Sequence, residues 1–180
     1  MPGATDPLPR VKLGATGLDI SPVCLGCMSF GIPRRGTHTW TLDRAAAVPM
    51  LRHAVDAGIT FFDTASAYSD GTSEELVGPA LCSLLPRKDL VLATKVWGRA
   101  PVGADGAGLS RKAILRELDA SLARLRVEYV DLLQIHRWDP TTPIEETMQA
   151  LNECVRAGKI RYIGASNTRA WQFIKAQEAA

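Results

Sequence analysis

The most constraining feature of the sequence is a repeated unit in which a short apolar run is followed by a loop and an amphipathic helix. Hydrophobic residues in these runs are nearly continuous, which is typical of strands buried on both faces of a parallel sheet. Strict alternation of such strands with helices predicts an α/β fold with a parallel sheet. A small hairpin is predicted before the first unit, over residues 11–21. The five predicted strands are VCLGCMS (23–29), ITFFDTA (59–65), LVLATKV (90–96), YVDLLQIH (129–136) and IRYIGAS (160–166).

Capping signals mark where the intervening helices begin. Thr72 with Glu75 fits a capping box, in which the two side chains bind each other's backbone N–H groups. Ser110 is predicted to cap the next helix. Thr142 followed by Pro143 predicts a cap with proline at the first helical position. Neither a G-x-G-x-x-G after the first strand nor a G-x-x-x-x-G-K-[ST] occurs, which disfavours an open dinucleotide-binding or phosphate-loop sheet.

Composition excludes several partners. The 180 residues, taken as one domain over 1–180, carry 21 Lys plus Arg and 19 Asp plus Glu. This net charge of +2 is too balanced to favour nucleic acid or an anionic membrane as partner. No apolar run approaches the ~20 residues of a membrane span, and MPGATDPLPR lacks the apolar stretch of a signal peptide. We therefore expect a soluble, cytoplasmic protein.

Two cysteines form a C-x-x-C motif that invites comparison with zinc and redox sites. Cys24 and Cys27 lie in a predicted strand, where residues three apart point to opposite faces. Cys82 and Cys154 stand alone, so a set of zinc ligands is lacking. We predict no metal site and four reduced thiols.

Polar side chains follow three of the predicted strands where the strands end. Asp63 ends the second strand and Tyr68 lies in its loop, Lys95 ends the third strand, and His136 ends the fourth. Each residue taken singly has a structural explanation, such as a loop cap, a loop anchor, a surface lysine or a core histidine. In a closed parallel barrel, however, these strand ends meet at one mouth, where active sites form. Together the four residues therefore predict a catalytic pocket.

These four residue types suit the reduction of a carbonyl group. A buried lysine needs a carboxylate partner, which Asp63 supplies. The ammonium group of Lys95 stabilises a phenolate, so it favours proton release from Tyr68 to an oxygen that gains negative charge. His136 can orient that oxygen by a hydrogen bond. Since no side chain delivers hydride, the donor must be a cofactor.

The segments GITFFDTASAYSDGTSEELVG, VLATKVWG, YVDLLQIHRWD and AGKIRYIGASN resemble the aldo/keto reductases, in particular the bacterial aryl-alcohol-dehydrogenase-like branch. The resemblance covers nearly the whole chain and implies a (β/α)8 barrel of the TIM type that reduces aldehydes and ketones with NADPH. It implies that Tyr68 is the general acid, that Lys95 and Asp63 tune it, and that His136 orients the substrate. The remaining implied contacts are to the cofactor: Ser166 and Asn167 to the nicotinamide carboxamide, and the loop of Cys27 and Met28 to the nicotinamide ribose.

The number of units is smaller than the resemblance requires. Such barrels need eight strand–helix units and ~250 residues, whereas five units are present here. We therefore expect an incomplete barrel domain whose two unpaired sheet edges favour self-association. Two classes of function stay open: an NADPH-dependent reductase acting on a small carbonyl compound, and an inactive remnant that is at most a binding or regulatory subunit. A third reading is another α/β enzyme that uses the same pocket without nicotinamide.

Overall fold

A computed structural model of the chain describes residues 8–36, 38–99 and 106–180. The strands in chain order are β1 (Val11–Lys12), β2 (Asp19–Ile20), β3 (Cys24–Gly26), β4 (Phe61–Asp63), β5 (Val91–Val96), β6 (Gly98–Arg99), β7 (Ala107–Gly108), β8 (Val130–Ile135) and β9 (Ile160–Ala165). A five-stranded parallel sheet in the order β3-β4-β5-β8-β9 forms the centre of the fold, and β1 with β2 forms the predicted antiparallel hairpin. Every strand of the central sheet lies within one of the five predicted runs, so that prediction is confirmed.

Helices connect the strands and cover one face of the sheet. They are α1 (Arg44–Asp56), α2 (Thr72–Leu84), α3 (Arg111–Leu125), α4 (Ile144–Arg156) and α5 (Ala170–Glu178). Ser110 caps α3 as predicted, since its side chain accepts a hydrogen bond from the backbone N–H of Ala113.

Two of the predicted helix caps are wrong, although both helices begin within one residue of the predicted position. Thr72 is the first residue of α2 and does not cap it, because Gly71 enters the helix in the left-handed conformation with φ 89°. The Thr72 hydroxyl instead accepts from the N–H of Ile32 at 2.9 Å. Pro143 takes the cap position of α4 rather than the first helical position. Thr142 is drawn away from the helix because its hydroxyl donates to Asp139 at 2.7 Å.

The two faces of the sheet have different partners. Phe62, Leu92 and Leu133 are fully buried on the face that packs against the helices. Phe61, Val91 and Ala93 lie on the opposite face, which we call the inner face, and pack against Leu18 and Ile20. The hairpin therefore closes one end of this inner face. Toward the carboxyl ends of the strands the inner face becomes polar.

The outer strands of the central sheet are β3 and β9. Ile163 on β9 and Trp171, Phe173 and Ile174 on α5 are exposed apolar side chains next to the β9 edge. In the part of the chain that the structure describes, no helix combines the length and the hydropathy that crossing a membrane would require.

Candidate active site

Lys95 is the centre of a hydrogen-bonded cluster on the inner face of the sheet. Its Nζ donates to Asp63 Oδ2, to the backbone carbonyl of Thr64 at 3.0 Å and to the Tyr68 hydroxyl at 2.9 Å. The Lys95 side chain is only 7% exposed. An ammonium group has three N–H donors, so these three partners use all of them. The cluster thus combines an ion pair with a phenol oxygen that is held next to a fixed positive charge.

The local backbone explains why these side chains meet. Asp63 ends β4 and pairs with Ala93 on β5, so Lys95, two residues further, points to the same face just beyond it. Tyr68 begins a short 3-10 turn, Tyr68–Gly71, that leads directly into α2. Ser69 in this turn adopts the left-handed conformation with φ 44°, an uncommon backbone state for a residue other than glycine. The turn brings the Tyr68 hydroxyl back over the end of β5.

His136 lies directly after β8 and faces the tyrosine. Its backbone N–H donates to the carbonyl of Val96 at 3.0 Å, and its ring meets the Tyr68 ring edge-on with centroids 5.8 Å apart. Burial, followed by the positive charges of Lys95 and Arg137, lowers the pKa of His136 to about 4. The imidazole is therefore neutral at neutral pH.

The proton of this neutral imidazole can be assigned from burial. Within the described residues, His136 Nδ1 is buried and has no hydrogen-bond partner. An unpaired lone pair is tolerated better than an orphaned buried N–H. We therefore place the proton on Nε2, which leaves this nitrogen as a hydrogen-bond donor.

Ser166 and Asn167 join the same end of the sheet after β9. Asn167 Nδ2 donates to the carbonyl oxygen of His136 at 3.0 Å and to Ser166 Oγ at 3.1 Å. The backbone N–H of Ser166 donates to the carbonyl of Ile135, and Asn167 has a left-handed φ of 51°. The pair is thus fixed beside His136, with the Asn167 side chain exposed.

The loop after β3 borders the cluster mainly through its backbone. The N–H of Cys27 donates to the carbonyl of Asp63, and its own carbonyl accepts from the Ser73 hydroxyl, both at 2.8 Å. The Cys27 side chain is buried in the helix-facing core, whereas Met28 is 38% exposed. The backbone polar groups of Cys27 are therefore already paired, and Met28 is the more accessible member of this loop.

The other thiol of the C-x-x-C motif lies on the inner side. Cys24 is exposed, and partial burial, followed by the charge of Asp63, raises its pKa to about 11. This thiol is therefore protonated at neutral pH and is a poor nucleophile. Among the residues that the structure describes, no group of three or more His, Cys, Asp and Glu side chains is arranged to hold a metal ion.

Gln134 also belongs to this cluster, although its position was not predicted from the sequence. Gln134 Nε2 donates to the second carboxylate oxygen of Asp63, Oδ1, at 2.8 Å. Gln134 pairs with Lys95 across β5 and β8. Its signal in the sequence is a polar side chain two residues before His136 in the same strand, which places it on the same face of the sheet as His136.

Comparison with known proteins agrees with this geometry. The family model described as the aldo/keto reductase family matches residues 22–180. The chain belongs to the aldo/keto reductase family. Versiconal hemiacetal acetate reductase of Aspergillus parasiticus is 43% identical over 187 residues, a match that covers 94% of this chain and 54% of the fungal protein.

Solved aldo-keto reductases share the fold of this family member. A thermostable aldo-keto reductase in complex with the inhibitor epalrestat superposes with a TM-score of 0.80 at 36% identity, covering 96% of this chain and 59% of the other. The holo form of an aldo-keto reductase from Bacillus halodurans gives a TM-score of 0.79 at 32% identity, covering 96% and 55%. These neighbours are TIM barrels, so the five-stranded sheet corresponds to part of such a barrel, and the chain spans about half the length of the relatives that it matches.

Proposed function

We propose that the chain supplies the catalytic residues of an NADPH-dependent reductase that converts aldehydes or ketones to alcohols, with Tyr68 as the general acid. The observation that carries the proposal is that one buried ammonium group, that of Lys95, donates to both Asp63 and the Tyr68 hydroxyl. This contact places a fixed positive charge beside the phenol oxygen, where it would stabilise the phenolate that remains after proton transfer. The family membership of the chain supports the same reaction class.

The residues of the cluster account for the proton in the reaction. His136 Nε2–H and the Tyr68 O–H both donate toward a carbonyl oxygen at the mouth, which orients and polarises it. As the carbonyl carbon is reduced, its oxygen takes the Tyr68 proton and becomes the hydroxyl of the product. The remaining phenolate is stabilised by the Lys95 N–H that already points to it. Asp63 balances the charge of Lys95 throughout.

The cofactor, when bound, supplies the hydride that reduces the carbonyl carbon. Ser166 and Asn167 fit a nicotinamide carboxamide, because the Ser166 hydroxyl can donate to its oxygen and Asn167 Oδ1 can accept from its N–H, while both Asn167 N–H groups are engaged with His136 and Ser166. An added Cβ at Gly26, which pairs with Asp63 on the neighbouring strand, would have no atom of the described residues within 4 Å. This open position beside Asp63 supports the proposal that a cofactor approaches the cluster from the inner face. The preference for NADPH over NADH rests on the resemblance alone.

The alternative of an inactive remnant is less favoured. The Aspergillus parasiticus relative is named a reductase, and in this chain Lys95 donates to both Asp63 and Tyr68. We propose a small-molecule carbonyl compound as substrate and the cytoplasm as the site of the reaction.

Titration of the purified chain with NADPH, followed by cofactor fluorescence, is the first test. We expect saturable binding, and oxidation of the bound NADPH when an aryl aldehyde is added. Tyr68→Phe should lower kcat by about 100-fold or more while NADPH binding is kept, since it removes only the proton donor. Tyr129→Phe is the matched control, because Tyr129 lies away from the cluster between Arg87 and Arg161. A folded chain that does not bind NADPH would contradict the proposal for the 180-residue chain itself and would leave the reductase function to a longer form only.

A further inference from the structure

The carboxylate of Asp63 is held at both of its oxygen atoms. Lys95 donates to Oδ2, and the Gln134 side-chain amide donates to Oδ1 at 2.8 Å. We propose that Gln134 is a positioning residue that fixes the orientation of the Asp63 carboxylate and, through it, the direction in which Lys95 meets Tyr68. The catalytic consequence rests on the proposed reductase function, whereas the structural consequence for Tyr68 does not.

The sheet register explains why this residue acts on Asp63. Gln134 pairs with Lys95 on the neighbouring strand, and β4, which carries Asp63, lies on the far side of β5. The amide therefore reaches across the strand that holds Lys95. Because an amide is a neutral donor, it can bind the carboxylate without competing with Lys95 for its negative charge.

The neighbouring strand leaves room for the Gln134 side chain. Gly164 on β9 pairs with Gln134. A Cβ added at Gly164 would lie 3.0 Å from Gln134 Cγ and 3.2 Å from Leu132 Cδ1, closer than ordinary van der Waals contact. The glycine thus permits the conformation in which Gln134 lies along the inner face and reaches Asp63.

The positioning effect arises because every N–H donor of the Lys95 ammonium group is already in use. All three of its N–H donors are in use, so a rotation of the Asp63 carboxylate must move the ammonium group or break one of its hydrogen bonds. Gln134 opposes that rotation. Without it, the Lys95 charge is held less closely to the Tyr68 oxygen, and formation of the phenolate requires a higher pH.

The test compares Gln134→Leu, which keeps the approximate side-chain size but removes the donor, with the wild-type chain. The first readout is the pH midpoint of phenolate formation at Tyr68. It is measured by ultraviolet difference absorbance, and the titration of the Tyr68→Phe chain is subtracted. We expect the midpoint to rise by about half a pH unit or more. The second readout is turnover, where we expect kcat to fall about tenfold with KM within about twofold, because one hydrogen bond to a charged group is lost outside the substrate contacts. Gln149→Leu, on the exposed side of α4, is the matched control and should change neither readout.

Two further variants keep the test decisive if Gln134→Leu folds poorly. Gly164→Ala leaves the amide in place but crowds it, so a smaller shift of the phenolate midpoint in the same direction is expected. Gln134→Glu can donate to Asp63 only while its carboxyl is protonated, so it should add a new ionisation in the acid range, with activity lost as this carboxyl ionises. An unchanged midpoint in a folded Gln134→Leu chain, or an unchanged pH profile in Gln134→Glu, would overturn the proposal. A chain without reductase activity in which the midpoint still shifts would refute the proposed function and leave the role of Gln134 standing.

Discussion

The fully buried carboxylate of Glu74 offers the sharpest test of what holds the site together. It accepts from Thr94 Oγ1 at 2.5 Å and from Arg124 Nε at 2.6 Å. Glu74 is 0% exposed, whereas the Arg124 side chain is 21% exposed. Glu74→Ala would therefore leave a mostly buried guanidinium and a buried hydroxyl without their acceptor.

The size of the effect can be worked from these contacts. Removal of one partner of a buried ion pair costs about 3–5 kcal/mol, because the other charge stays desolvated. Water can reach Arg124 in part, so we expect the lower end, a loss of about 3 kcal/mol in the free energy of unfolding. Glu74→Gln keeps an acceptor for Thr94 and should cost less, about 1–2 kcal/mol.

Urea denaturation followed by circular dichroism measures these free energies. The matched control is Glu75→Ala, the exposed neighbour in the same helical turn, for which we expect a change below about 1 kcal/mol. Arg124→Ala and the double variant complete a cycle in which the coupling energy should be about 2 kcal/mol. Equal effects of Glu74→Ala and Glu75→Ala, or a coupling energy near zero, would refute the reasoning.

Three other perturbations have expected outcomes. A Cβ at Gly78 would lie 2.2 Å from the Leu125 carbonyl oxygen, so Gly78→Ala should force α2 and α3 apart. We expect the free energy of unfolding, measured by urea denaturation, to fall by about 2–3 kcal/mol. An unchanged free energy of unfolding would contradict this close contact. The unfolded state takes up a proton near pH 6.5 but folded His136 only near pH 4, so stability should fall as pH drops from 6.5 to 4. Because the ring is half-exposed, we expect His136 to account for only about 1–2 kcal/mol of this fall in the free energy of unfolding. The measurement compares the pH dependence of stability in the wild-type chain and in His136→Leu, which should lack this part of the fall. The exposed edge at Ile163 should make the 180-residue chain self-associate as its concentration rises. Ile163→Lys should reduce this self-association in sedimentation velocity experiments. A wild-type chain that stays monomeric at all concentrations would contradict the prediction.

The parts of the fold that could be predicted are those in which local sequence and tertiary structure agree. The five strands were found because parallel strands buried on both faces are apolar along their whole length. The proximity of Asp63, Lys95 and His136 could be predicted because each lies near the end of one of those runs. Asp63 and Lys95 then meet as the register of a parallel sheet requires, and the turn that begins at Tyr68 brings its hydroxyl to Lys95.

The parts that could not be predicted depend on contacts between elements distant in the sequence. The segment TSEE is typical of the solvent-exposed side of a helix, but Glu74 is buried. Its partners, Thr94 and Arg124, lie 20 and 50 residues further along the chain. The Thr72 hydroxyl was assigned to a helix cap because that pattern is local, whereas it binds the backbone of Ile32, 40 residues away. Gln134 was read as part of a strand because periodicity does not show which neighbouring side chain a polar group will meet.

These long-range contacts converge on the first turn of α2, and this explains how the site is held rigid. Ser73 donates to the carbonyl of Cys27 after β3 and shares a hydrogen bond with Thr64 after β4, while Glu74 accepts from Thr94 in β5. Two adjacent helical residues thus hold the carboxyl ends of three successive strands from the outer face. Asp63 and Lys95 lie next to Thr64 and Thr94 in sequence and point to the inner face, so their geometry is fixed from behind by α2 and from the side by Gln134. Because Tyr68 belongs to the turn that leads into α2, the same helix also sets the position of the proposed general acid.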